Sequence, residues 1–275
     1  MGLLSAAAFA AGLVLSAGST LAEGADHGPI RQFELNRYIP INLWGFDASF
    51  TNASLYMVAA FTIITFFLTS AMRTGALVPS RLQSMAELTY KFIHDTVREN
   101  VGDEGMHFFP LVFSLFIFVL VLNLLGMIPI PGVTFTVTSQ IVVTAALALL
   151  VIAIVIVYGL YMHGLGFFKL FAPSGVPMWL LPLLIPIEVI SFISRPVSLS
   201  VRLFANMLAG HIALKIFAGF IGTLLAAGAW ALLSPVPMAL TVGLTALEVL
   251  VAVLQAYVFA VLTCIYLSDA VHGAH

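Results

Sequence analysis

The chain has 275 residues, 61% hydrophobic and only 8% charged, with a mean hydropathy of +1.12 and a formal net charge of −2. Soluble domains carry about 25% charged residues, so the composition is that of a polytopic membrane protein, and the near-neutral balance excludes a basic footprint for nucleic acid. The lone Cys264 permits no internal disulfide, and there is no Cys/His cluster at zinc spacing, no Gly-rich phosphate loop and no Ser/His/Asp pattern, so no metal, cofactor or nucleotide site is expected.

Residues 1–25 are small and apolar and end Ser19-Thr-Leu-Ala22, which reads as a signal-peptide-like leader or an extra span. Residues 26–275 form the membrane domain. Its first part, to residue 48, is polar, and Ile30-Arg-Gln-Phe-Glu-Leu35 reads as a short surface element. The first span covers about 50–71, between Thr51-Asn52 and Arg73. Over 79–100 the pattern changes. Pro79-Ser80 starts a helix in which Leu82, Met85, Ala86, Phe92, Ile93 and Val97 alternate with Arg81, Glu87, Lys91, Asp95 and Arg98. That is an amphipathic helix, lying on the membrane surface or packed on a soluble partner. Further spans cover about 107–128 and 137–162, joined by the turn Pro129-Ile-Pro-Gly132. Asn123 reads first as a helix–helix hydrogen bond and second as the lining of a path.

Two segments are too long to stand upright. Residues 178–222 make about 65 Å of helix and 236–268 about 50 Å, against a hydrocarbon thickness of about 30 Å. The fold expected is therefore all-α: transmembrane helices, an amphipathic surface helix and a strongly tilted C-terminal helical hairpin with its turn near Gly222–Pro237. Arg73, Arg81, Lys91, Arg98 and Lys169 lie in the loops 72–107 and 163–177, while the turns 129–136 and 223–236 carry no Lys or Arg. The positive-inside rule puts the charged loops and the C-terminus in the cytoplasm.

Within the hairpin lie Glu188, Arg195, Arg202, Lys215 and Glu248, with Asn206, His211 and Gln255. An ionised guanidinium at bilayer depth is costly, and Arg does not shed its proton to escape. Arg202 has about twenty mostly apolar residues on each side, so snorkelling explains it poorly. Residues 188, 195 and 202 share one helix face at intervals of about 10 Å, Asn206 follows Arg202 by one turn, and His211 falls on the opposite face. On the second helix Glu248, Gln255 and Tyr266 share a face. An antiparallel hairpin centred near residue 228–229 faces Arg202 with Gln255 and Glu188 with Asp269, and brings Glu248 close to the level of His211. Two titratable groups at one depth suit a proton path, since burial and pairing tune protonation. Other readings remain beside this one: Glu188 as the buried partner of Arg195, Lys215 as a snorkelling cation, and Asn206 and Gln255 as helix glue.

The stretch Ser198-Leu-Ser-Val-Arg-Leu-Phe-Ala-Asn-Met-Leu-Ala-Gly-His211 resembles the signature of subunit a of the rotary F-type ATP synthases. Pro186-Ile-Glu188, Leu254-Gln-Ala-Tyr257 and, more weakly, Ile30-Arg-Gln-Phe33 extend the likeness over nearly the whole chain after residue 25. The resemblance implies a stator subunit that is not itself an enzyme. It would pass protons through two half-channels to and from a rotor ring of c-type subunits, beside peripheral-stalk b-type subunits and a soluble F1 ATPase, in a bacterial inner membrane. It implies that Arg202 faces the rotor carboxylate, that His211 and Glu248 serve one half-channel, and that Glu188, Asn206 and Gln255 are polar pathway positions. No Na⁺-type oxygen cluster is visible in the sequence, which favours H⁺ as the coupling ion. An intramembrane enzyme using His211 or Glu248 as acid or base would need a nucleophile or metal set, which is missing. A self-contained secondary transporter would commonly show an internal repeat, and none is visible.

Overall fold

The computed structural model describes residues 37–39, 42–43, 46–47, 49–73, 78–128, 135–171 and 179–272. The leader, the element at 30–35 and the turn at 129–132 lie outside the described residues. Four short strands open the described chain: β1 (Arg37–Ile39), β2 (Asn42–Leu43), β3 (Phe46–Asp47) and β4 (Phe50–Thr51). β1 pairs antiparallel with β4 and β2 with β3, making one hairpin nested inside another. These strands fall where the sequence indicated only polar character. Two-residue ladders carry too little apolar alternation to announce themselves.

Six α-helices follow: α1 (Asn52–Met72), α2 (Arg81–Val101), α3 (Phe109–Met127), α4 (Ile141–His163), α5 (Leu181–Ala226) and α6 (Pro235–His272). All but α2 belong to segments long and apolar enough to cross a membrane, five in number among the described residues. In hydrocarbon no water meets free backbone groups, so a spanning chain must satisfy them internally, and a helix does so. The fold is that of an all-α polytopic membrane protein.

α2 is the amphipathic exception. Ser80 caps its start, its hydroxyl accepting from the Gln83 N–H at 3.4 Å. Gly102, at φ 83°, ends it and donates its N–H to the Arg98 carbonyl. A left-handed residue there favours glycine. Ala86, Ile93, Val97 and Val101 are buried, whereas Leu82, Met85, Leu88 and Phe92 stay exposed, so the helix keeps a second apolar stripe for lipid or a partner.

α5 has 46 residues and α6 has 38. At 1.5 Å per residue these are about 69 and 57 Å long, so neither fits upright across about 30 Å of hydrocarbon. Pro186 and Pro196 lie inside α5 without ending it. Lipid-embedded helices tolerate such interruptions because neighbouring groups re-satisfy the backbone. The connection runs from Ala227 to Ser234 as a 3₁₀ turn that opens at Gly228, φ 64°.

The chain divides into two compact units. The first holds residues 1–60, 121–140 and 204–254; the second holds 61–120, 141–203 and 255–275. In the first, Tyr56 packs on Phe135, and Asn123 of α3 donates to the Ala252 carbonyl of α6 at 3.1 Å. This is the helix–helix bond expected of Asn123. The second is a larger apolar core with Val112, Val119, Val155, Leu199, Leu203, Phe259 and Leu267 all buried. There His163 at the end of α4 meets the Val271 carbonyl of α6 at 3.2 Å.

Candidate functional site: buried ionisable groups on the two long helices

In the first unit His211 of α5 and Glu248 of α6 are in direct contact, Nδ1 to Oε1 at 2.9 Å, with side chains only 11% and 5% exposed. Gly210 makes room for this. A Cβ at that position would collide with the Glu248 carboxylate, so glycine is the residue that lets the acid approach α5. The contact is an ion-pair approach rather than an aligned hydrogen bond. The His211 Nε2 and Glu248 Oε2 atoms are also buried without a hydrogen-bond partner among the described residues. A proton between imidazole and carboxylate can sit on either group without changing the net charge of the pair. The bare Nε2 and Oε2 are the atoms through which the pair can take or give one.

The same unit buries further polar side chains: Asn52, Asn123, Thr136, Thr138 and Ser139. Ser139 donates to the Thr136 carbonyl at 2.6 Å, while Thr138 Oγ1 has no partner among the described residues. The sequence reading passed over Thr136, Thr138 and Ser139. The signal was present: Thr136-Val-Thr-Ser-Gln140 is a polar run where the next apolar span should begin.

In the second unit Arg195 Nη1 donates to Asp269 Oδ2 at 2.5 Å. The guanidinium also lies 5.5 Å from the Phe192 ring centre and 5.3 Å from that of Tyr266. This corrects two expectations. Asp269 meets Arg195 rather than Glu188, and Arg195 is not the partner of Glu188. The expected register placed the hairpin midpoint near 228–229, but the connection spans 227–234. Its centre is about two residues later, which moves each facing partner by about four, and Arg195 meets a residue seven beyond the one that register set against it. Glu188 is half-buried and has no ion pair or hydrogen bond among the described residues.

The remaining candidates lie elsewhere on the two long helices. Arg202 is exposed on α5, with no ion pair or hydrogen bond among the described residues. Asn206, one turn along, is exposed too, and Gln255 is buried on α6. Lys215 is exposed, as snorkelling requires. No group of three His, Cys, Asp or Glu among the described residues is placed to hold a metal ion.

The Arg195–Asp269 pair yields a stability prediction. Both groups are only part-buried, so Asp269→Asn should cost about 1–2 kcal/mol, between the values for exposed and buried pairs. Thermal unfolding in detergent should show that loss. Adding Arg195→Met should recover part of it, because the stranded cation is then gone.

The family described as ATP synthase A chain matches residues 54–268. ATP synthase subunit a of Agrobacterium fabrum is 61% identical over 248 residues, covering 90% of this chain and 98% of that protein. The subunit a of Mesorhizobium japonicum is 58% identical over 248 residues, with 90% and 97% covered. That of Methylobacterium sp. is 61% identical over 248 residues, with 90% and 98% covered. A match that begins in α1 and runs through nearly all of α6, over the same residues that place the buried His–Glu pair and the exposed arginine, makes this chain a member of the ATP synthase A chain family.

Proposed function

We propose that the chain is the proton-translocating stator subunit of the membrane sector of a rotary ATP synthase, with two half-channels that load and unload carboxylates on a rotor ring. The observation that carries this reading is a contrast. The imidazole and the carboxylate buried on the long helices, His211 and Glu248, face each other, while Arg202 is exposed and has no ion pair among the described residues. A permanent cation at bilayer depth needs an anion. Since the described chain offers none, the partner is a carboxylate on another subunit, a c-type subunit of the ring.

The division of labour follows from charge. Protons from the outer side reach the His211–Glu248 pair and pass to a rotor carboxylate. The neutral, loaded site then turns through lipid without the cost of a bare charge. On its return it meets Arg202, whose fixed charge favours the ionised carboxylate, so the proton leaves inward past Glu188. Asn206 and Gln255 serve as polar positions along these routes. Arg202 also repels protons that would pass directly between the half-channels. Every step is binding and electrostatics, so the subunit catalyses nothing by itself; ATP chemistry belongs to the soluble F1 part, and b-type subunits hold this stator still. The cytoplasmic C-terminus rests on the Lys/Arg asymmetry.

Three measurements test the reading. Arg202→Ala should abolish ATP-driven acidification of inverted vesicles while the complex still assembles, and passive leak should rise once the soluble ATPase is stripped. Arg202→Lys should also fail, because lysine lacks the planar fork and loses its proton more readily when desolvated. Normal pumping by Arg202→Ala would refute the mechanism.

Gly210→Ala should slow proton flux by crowding Glu248 away from His211. Combination with Glu248→Asp, one methylene shorter, should restore part of the rate. A combined variant no faster than Gly210→Ala would show that the crowding is not what matters.

For topology, cysteines placed at residues 73 and 169 should react from the cytoplasmic side of sealed vesicles, and one at 230 only from the other. Labelling of all three from one side would overturn the orientation.

A further inference from the structure

We infer that Asn123 is a positioning residue for proton transfer: its side-chain amide pins α6 one turn beyond Glu248 and so holds the carboxylate against His211. The inference rests on the reading of the His211–Glu248 pair given above. Asn123 is fully buried on α3, and its Nδ2 donates to the Ala252 carbonyl at 3.1 Å. Only the nitrogen end of an amide can donate to a carbonyl, so the orientation of the side chain is settled by chemistry. Ala252 follows Glu248 by four residues, on the same face of α6 and about 6 Å along it.

Packing alone would not choose an amide here. Leu122 on α3 and Ala252 on α6 are themselves buried, and an apolar side chain at 123 would fill the space without desolvating a polar group. The amide is moreover only half satisfied, since its Oδ1 has no hydrogen-bond partner among the described residues. A residue kept solely as glue would be expected to use both ends. What this bond supplies and apolar contact does not is a fixed axial register between α3 and α6. Apolar surfaces slide past one another at little cost, whereas a hydrogen bond ties one carbonyl to one turn. Misplacement of a reacting group by about 1 Å can cost a hundredfold in rate. The Glu248 carboxylate, wedged into the gap left by Gly210, has little freedom to follow a shifted helix.

The charge environment makes the effect readable. α3 carries no charged residue. Among the described residues of the first unit the titratable side chains are Tyr56 on α1, His211 and Lys215 on α5, Glu248 on α6, and Arg37, Tyr38 and Asp47 in the strands. Lys215 is exposed. A change in the pH dependence of flux on losing Asn123 therefore reports on the buried pair.

The test uses the whole ATP synthase in inverted membrane vesicles, measuring ATP-driven acidification and, after removal of the soluble ATPase, passive proton flux against pH. Asn123→Leu keeps the volume and removes the bond. It should lower flux per assembled complex about five- to tenfold, the range that one lost hydrogen bond corresponds to, and should move the pH of half-maximal flux. In a Glu248→Gln background the same change should add nothing. Flux per complex equal to the parent's, or reduced by one factor at every pH and equally with Glu248→Gln, would overturn the proposal and leave Asn123 as helix glue. Should Asn123→Leu fail to assemble, Asn123→Asp has the same shape. It should conduct at acid pH, where its protonated carboxyl donates to Ala252, and lose flux as pH rises; flux that falls no faster than the parent's would overturn the proposal. If Glu248→Gln alone conducts normally, the reading of the pair fails, whatever Asn123 does.

Discussion

An ionised side chain in hydrocarbon must find a partner, reach water or give up its charge, and the charged groups of α5 and α6 show each of these solutions. Arg195 is neutralised by Asp269 and flanked by the rings of Phe192 and Tyr266. Lys215 is exposed, and its flexible stem can carry the ammonium outward. Glu248 meets a titratable base, His211, and so can exchange its charge for a proton. Arg202 has none of these within the described chain. It does not deprotonate, and it has no ion pair there. The proposed function answers this with a carboxylate on another subunit.

Helix length serves the same requirement. A perpendicular span of about 20 residues would expose each face to a neighbour over one crossing. The 46-residue α5 offers a long face on which small exposed residues such as Ser198, Ala205 and Ala209 accompany Arg202. Small side chains let another helix come close.

Most of the architecture was legible because hydropathy and length speak directly in a lipid solvent. The spans, the amphipathic 79–100 segment and the over-long pair of helices all follow from runs of residues without reference to partners. The helical face holding Arg202 was legible from periodicity, and the approach of His211 to Glu248 from the assumed register. Farther from the turn that register failed. A midpoint two residues off placed Asp269 beside Glu188, whereas the structure gives it to Arg195. Turn geometry is local to Gly228–Leu233, and no periodic pattern announces it. The nested strands at 37–51 were invisible for want of length, and the polar run Thr136–Ser139 was visible but open to a bland reading, because hydroxyls at a helix start look like ordinary capping. Gly210 was visible as a letter, but its purpose appears only when Glu248 fills the space a Cβ would take.

The two buried polar sets differ in a way that separates a clamp from a path. Around Arg195 the charges are matched, the distance is short, and the flat guanidinium is covered by two rings. Nothing there asks for another partner, and such an arrangement resists change. In the first unit the opposite holds: His211 Nε2, Glu248 Oε2, Asn123 Oδ1 and Thr138 Oγ1 are buried and unbonded among the described residues. Each unmet donor or acceptor costs about 1–3 kcal/mol, so a sequence shaped only for stability would have removed them. The His211–Glu248 pair thus keeps atoms open to a further partner, whereas the Arg195–Asp269 pair is closed.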